Sequence, residues 1–388
     1  MRKRILIFCM ALALCIGLLP ATALAANATV YGTIEVGGVA LMNSADAPTV
    51  YATTDAATGA VTAQSTFTEA DGWNIKWDGS TLTLRNATIK EAKEYGNSHE
   101  SMAVYLASGD LNLALVGENT VDAPDGGSVA SCGINLGSGS LSISGEDGAS
   151  LTVYGGPAEH GNSCGIYANG TITINSGTVN ATGESAAGSS YGIDAGGAVT
   201  IENGTVNATS GETGGNSVGI HITNSITING GDVTATAGDA GGNSYGIHTA
   251  ASSTDITVNG GSVTAKGGDA VGTGWYSCGM KVDGNFTISG GTVTATAGDA
   301  LEIGGDNYSL GIFSYTDLTI SGGEVTGIGG TGGLSSGIAC NDTLAITGGT
   351  VVGEGGPLAG TNIQYSAGIN GIDKVKISGG TVTGTGGD

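Results

Sequence analysis

The chain has 388 residues, of which 74 are Gly and 5 Pro, with 12 % charged and 5 % aromatic residues. Glycine at that level with so little Pro excludes collagen and argues against an ordinary helical globule. Eleven basic residues stand against 34 acidic ones, a net charge of −23, which excludes nucleic acid and an anionic membrane surface as partners.

In chain order, residues 1–25 read first, as a secretory signal peptide. Arg2-Lys3-Arg4 precede an apolar run from Ile5 to Leu19, and Ala23-Leu24-Ala25 form a small-residue cleavage site. The run is shorter than the roughly 20 residues of a membrane-spanning helix. No second apolar run follows, so the chain is expected to be secreted or displayed on the cell surface, without membrane insertion. Cleavage leaves eight basic residues against 34 acidic ones, or −26, and four of the six Cys. Four Cys are too few for a disulfide scaffold of this length. Residues 26–69 alternate apolar and polar side chains without a repeat phase, as in Val30-Tyr31-Gly32-Thr33-Ile34-Glu35-Val36. They are expected to form a small N-terminal β cap over an otherwise bare sheet edge.

From 70 to 388 the chain repeats. Residues 70–125 do so irregularly, through Leu82-Thr83-Leu84 with Thr88-Ile89 and Leu111-Asn112-Leu113 with Thr120-Val121. From 126 onward three phrases recur, exemplified by Ser163-Cys164-Gly165-Ile166, Ile226-Thr227-Ile228-Asn229-Gly230-Gly231 and Val293-Thr294-Ala295. The glycine of the first phrase falls at 133, 165, 192, 219, 246, 279, 311, 337 and 368, about 29 residues per unit. Each unit carries three short alternating runs separated by Gly or Asn, which predicts three strands and three turns. One unit cannot bury its own inward face, whereas stacked units roughly 4.8 Å apart bury all of them.

The predicted fold is therefore all-β, a right-handed parallel β-helix of roughly 11 three-strand coils; the hexapeptide and nonapeptide periods of the alternatives do not occur. Alternation predicts that Ile134, Ile166, Ile193, Ile220 and Ile247 point inward, together with Cys132, Cys164, Tyr191, Val218 and Tyr245. In the second strand, Thr173, Thr200, Thr227, Thr257, Thr287 and Thr319 are expected to point outward. The sequence stops at Asp388 inside a repeat phrase, which reads as part of a longer secreted protein.

These phrases, together with Trp77-Asp78-Gly79-Ser80-Thr81-Leu82-Thr83-Leu84-Arg85-Asn86-Ala87-Thr88-Ile89, resemble a known family over roughly residues 70 to 388. It comprises secreted Gram-positive bacterial surface proteins with a pectate-lyase-like β-helix, described as carbohydrate-binding domains. The resemblance implies polysaccharide binding at a cell surface, often with calcium, in chains that carry a wall or S-layer anchor. No anchor motif is present, so attachment to the cell wall would run through a missing C-terminal anchor. The fold alone does not choose among binding, lyase and hydrolase functions.

Three constellations could carry chemistry. Glu184, Glu212, Asp239, Asp269 and Asp299 follow successive third strands, six residues after the strand's Val, or five in the first case. Stacked in phase, such carboxylates repel unless a cation sits between them. Calcium, with roughly six to eight oxygen ligands, suits them, and Asn216, Asn243 and Asn307 offer further oxygens. A solvated acidic ridge is the alternative reading.

Next comes the outward column one residue beyond the Ile or Met of the first strand: Asn135, Tyr167, Asp194, His221, His248, Lys281 and Phe313. In pectate-lyase-like proteins the sugar chain generally lies near this face. Tyr167, Asp194, His221, His248 and Lys281 are accordingly candidate ligand contacts. The alternative is acid–base catalysis along Asp194–Lys281, although the only Arg beyond the signal, Arg85, lies far upstream. Trp275, Tyr276 and Tyr308, on the longest loops, complete the candidates, because sugars dock their apolar faces on exposed rings. Rings that merely cover the coil edge are the alternative.

Cys132 and Cys164 share one phase in adjacent coils, within the Cα range of a disulfide, but are expected to be reduced thiols; Cys278 and Cys340 lack partners in phase. An ice- or surface-binding Thr array is interrupted by Asp232, Glu324 and Val352. The expected function is an adhesive or carbohydrate-binding β-helix that holds plant or host polysaccharide without catalysis. The alternative is a polysaccharide lyase or glycoside hydrolase of the same fold.

Overall fold

A computed structural model describes residues 32–95, 100–124, 130–251, 254–272, 275–301, 307–359 and 365–388. The predicted signal segment 1–25 and residues 26–31 lie outside the described residues. Among those described there is no helix: the chain winds as a parallel β-solenoid with three sheets of 13, 14 and 11 strands. One coil contributes one strand to each sheet, as Ser217–Ile222, Ile226–Ile228 and Asp232–Thr236 do. The next coil, Ser244–Thr249, Ile256–Val258 and Ser262–Lys266, lies on it in register. Nine regular turns start at Ser131. Upstream stand one irregular coil, from Glu100–Leu106 to Glu118–Asp122, and a partial one, Thr81–Arg85 with Thr88–Ile89.

Register stacking turns one favourable position into a ladder. Ile134, Ile166, Ile193, Ile220 and Ile247 follow one another in the first sheet, and all are buried in a single core that runs the length of the solenoid. Thr173, Thr200, Thr227, Thr257, Thr287 and Thr319 lie half-buried between buried apolar neighbours, on the outer face as alternation requires. Between the second and third sheets the chain turns on Gly177, Gly204, Gly231, Gly261, Gly291, Gly323, Gly349 and Gly380, all with φ between 78° and 91°. A side chain is strained in that region, which accounts for the second Gly of the Gly-Gly phrase.

The first sheet departs from simple alternation at its signature glycine. Here the strand presses against the end of the third sheet, and a methyl group on Gly246 would stand 2.6 Å from both the Gly279 carbonyl oxygen and the Lys266 nitrogen. The resulting bulge shifts the phase. Ser244, two residues before the glycine, is fully buried; its hydroxyl donates to the Gly238 carbonyl at 2.9 Å and accepts the Gly268 N–H at 2.7 Å. Ser217, Ser277, Ser309 and Ser366 close their corners in the same way. The residue between Ser and Gly consequently faces outward. This corrects the inward placement of Cys132, Cys164, Tyr191, Val218 and Tyr245: none of them belongs to the axial core. Val218 and Tyr245 instead join Cys278, Leu310, Phe313 and Ala339 in a second apolar cluster on the outside of the first sheet, with Tyr191 packed against it.

At the N-terminal end the strands are antiparallel. Thr33–Val36 pairs with Val39–Met42 and lies along Glu100–Leu106 of the first sheet. Ile75–Trp77 lies along Thr81–Arg85 of the second, with Val50–Thr54 and Val61–Gln64 outside it. Ile34, Val36, Leu41 and Trp77 join the axial core.

Candidate functional site

The bulge places two neighbouring columns on the outer face of the first sheet. One is the predicted column: Asn135, Tyr167, Asp194, His221, His248, Lys281 and Phe313 are register partners in consecutive coils. The other, set free by the phase shift, runs through Met102, Cys132, Cys164, Tyr191, Val218, Tyr245 and Cys278. The two columns touch, and together they form the face.

At its centre the polar groups are paired. Asp194 Oδ1 lies 2.7 Å from His221 Nδ1. Two coils further on, the Lys281 ammonium donates to Asp283 Oδ1 at 2.5 Å and stands 3.4 Å from His248 Nε2. Lys281 is the most enclosed, its side chain 8 % exposed, while Asp283 is 20 % exposed. Its ammonium also lies 4.6 Å from the centre of the Tyr315 ring and 5.7 Å from that of Tyr245, within cation–π range. Burial foremost, then the charge of Lys281 and the neighbouring His221, hold His248 well below the ordinary imidazole range. It is therefore neutral at pH 7 and can accept the Lys281 hydrogen bond through Nε2. Tyr245 rests on the His248 ring at 4.4 Å and Tyr191 on His221 at 5.1 Å; burial pushes the Tyr245 phenol up.

Clefts lie on either side of this centre. Tyr167, Tyr191, Asp194, Asn162, Cys132 and Cys164 line one of about 200 Å³. The other, of about 310 Å³, is walled by Tyr276, Tyr308, Phe313, Tyr315, Leu334 and Ile372. In it Tyr276 and Tyr308 stack 4.5 Å apart with ring planes 10° from parallel, and Tyr315 meets Phe313 edge-on at 4.8 Å. Tyr276 and Tyr308 are thus brought together. Trp275 is not part of that cleft: its indole is 39 % exposed and folds over Gly272, while its carbonyl accepts the Tyr308 N–H at 3.1 Å. Sequence reasoning missed Asp283 and Tyr315. Each stands two residues beyond a column member, Lys281 and Phe313, so period-2 alternation carried the signal.

The column does not supply a glycosidase carboxylate pair. Asp194 and the Lys281 strand are three coils apart, roughly 14 Å at strand spacing, against about 5–10 Å for paired catalytic carboxylates. Arg85 is engaged elsewhere, its guanidinium 3.8 Å from the centre of the Trp73 ring and bonded to the Trp73 carbonyl.

The acidic ladder lies at another corner, where the third sheet turns into the first. Glu212, Asp239, Asp269 and Asp299 occupy one position in consecutive coils, as their carbonyls show by accepting from Ala186, Thr213, Ala240 and Ala270. Glu184 is out of phase by one residue, and Ser185 holds its place beside the Ala158 N–H. The aspartates have a structural use: Asp239, Asp269 and Asp299 each accept, through Oδ1, the backbone N–H of the equivalent residue in the next coil, at 2.8, 2.8 and 2.7 Å. Asn216 and Asn243 do the same for the N–H groups of Asn243 and Tyr276. Among the described residues no three His, Cys, Asp or Glu side chains converge as a metal cluster. An open cleft of about 460 Å³ runs along this corner over Ala186, Thr213 and Ala240, with Glu159, Glu212 and Asp239 at its rim.

Cys132, Cys164, Cys278 and Cys340 are buried free thiols. Comparison of the chain with family models, with curated proteins and with solved structures gave no match.

Proposed function

We propose that the protein is a secreted, non-catalytic carbohydrate-binding or adhesive right-handed β-helix, with residues 26–69 as its N-terminal cap, whose outer first-sheet face holds a polysaccharide. The observation that carries this reading is the face as a unit: a paired polar centre of Asp194, His221, His248 and Lys281, with a tyrosine-walled cleft on each side. Rings on a rigid scaffold offer apolar stacking surface at little entropic cost. Strand-spaced polar groups between them can bond successive hydroxyls of an extended chain.

The charges favour a neutral glycan. Lys281 is already compensated by Asp283 and enclosed by rings, so it offers a polyuronate little, and the chain as a whole carries −23. A glycan array run with and without calcium tests the reading. Binding to neutral polysaccharide that falls by about 2 kcal/mol in Tyr315→Ala, the scale of an interface anchor, supports it. Release of reducing ends from pectin or β-glucan overturns the absence of catalysis, and the lack of any glycan signal overturns the reading itself.

Calcium belongs to the proposal at the Glu212–Asp299 ladder, where stacked carboxylates gain most from a cation between them. A ligand bound only by the folded state stabilises it by about 2.7 kcal/mol at a hundred times Kd. A melting temperature that rises in millimolar calcium assigns the ion. An unchanged one leaves the ladder as a device for capping backbone N–H groups.

A further inference from the structure

The outward phase shift has a chemical consequence at the upstream end of the face. Met102, Cys132 and Cys164 are register partners in three consecutive coils, so three sulfur side chains follow one another in a single column. All three line the same cleft of about 200 Å³, all are buried there, and both cysteines are free thiols. From these positions we infer that the column is a binding site for a soft monovalent metal cation, copper(I), held between the Cys132 and Cys164 sulfurs, with the Met102 thioether bordering the site.

The strand geometry suits a metal bridge. In-register parallel strands hold equivalent side chains roughly 4.8 Å apart, close to twice a metal–thiolate bond of about 2.3 Å. A direct disulfide draws the two Cβ atoms to about 3.5–4.5 Å, nearer than the rung spacing sets them, so a cation bridges the two sulfurs with less movement of the coils than an S–S bond. The donor set selects the ion: two facing thiolate sulfurs favour copper(I), whereas calcium and magnesium require oxygen.

Burial first, and then the adjacent Cys132 sulfur, push the Cys164 thiol well up, so ionising it without a cation is costly. Both thiol protons leave to solvent as the two metal–sulfur bonds form, because the thiolate and not the thiol is the ligand, and no electron is transferred. Cys132 also releases the hydrogen bond its thiol makes to the Ile134 carbonyl at 3.1 Å. This assignment is independent of the carbohydrate reading, which uses the phenols and the polar column.

The test is an anaerobic titration of the reduced protein with copper(I) in competition with a chromophoric copper(I) chelator. One copper retained per chain is expected, with a sulfur-to-metal charge-transfer band in the ultraviolet. Cys132→Ser and Cys164→Ser should each abolish retention. Met102→Leu, which keeps the packing volume and both thiols, should keep the stoichiometry. Cys278→Ser removes a buried thiol from the same column five coils beyond Cys132 and should change nothing. Failure of the wild-type protein to hold copper against the chelator overturns the site. So does full retention in Cys132→Ser.

Discussion

The Lys281–Asp283 pair offers the sharpest test of how the face is held together. Asp283→Asn removes the carboxylate and leaves an ammonium on a side chain that is 8 % exposed. Stranding a buried charge costs about 3–5 kcal/mol. The Tyr315 and Tyr245 rings, 4.6 and 5.7 Å from the ammonium, return about 1 kcal/mol or slightly more, so a loss of about 2–4 kcal/mol is expected. Lys281→Met strands a carboxylate that is one-fifth exposed and reached by water, so it should cost less, about 2 kcal/mol. The double variant strands nothing and places an apolar side chain among Tyr245, Tyr276 and Tyr315; it should lie within about 1 kcal/mol of wild type. Urea unfolding gives the three values, read at constant slope because solenoids can lose cooperativity. Amide exchange in Tyr276–Val282 shows whether the loss is local. Single variants that each cost under about 0.5 kcal/mol, or a double variant as unstable as the sum of the singles, would refute the reasoning.

Two further outcomes test other parts of the structure. Gly246→Ala places a methyl group 2.6 Å from backbone atoms on two sides and should cost about 3 kcal/mol, the upper range of overpacking; Gly72→Ala, with nothing within 4 Å, should be neutral or slightly stabilising by urea midpoint. Because the folded state holds His248 well below the ordinary imidazole value, the unfolded chain binds its proton first: stability should be full above about pH 6.5 and fall as the pH drops from there toward the folded value. His248→Gln should flatten that decline between pH 7.5 and 5.5, and an equal decline in both proteins would assign it to other groups.

The repeat made the solenoid legible because a ladder needs the same residue in the same place every turn. The Ile column and the outward Thr column follow from alternation alone, and Asp194, His221, His248 and Lys281 share one register as predicted, since they follow the bulge and are counted from the Ile or Met. Legibility failed one residue before the signature glycine. Counting backward across Gly246 assumes an unbroken pleat, whereas the glycine occupies a position with no room for a Cβ and resets the phase. Cys132, Tyr191 and Tyr245 therefore moved from the core to the face. The strict Ser two positions before each Gly was the available clue: a small hydroxyl residue repeated at that place fits a buried corner with backbone groups to satisfy better than a solvent face. At the acidic corner, one-residue spacing variation hid the slip of Glu184, because loops between strands absorb an extra residue without disturbing the sheets.

The same bulge links architecture to function. Without the phase shift, Tyr191 and Tyr245 would crowd an interior already filled by the Ile, Val and Leu ladders, and the first sheet would present one polar column to solvent. With it, every coil adds a second outward side chain beside the first, and the pair can diverge from coil to coil because neither member touches the axial core. Sulfur occupies that added position in the coils at Met102, Cys132 and Cys164, phenol at Tyr191 and Tyr245. The core fixes the spacing, and the face is free to vary in chemistry along its length. One scaffold thereby accommodates the proposed soft-metal column and the proposed glycan-binding surface side by side on the same sheet.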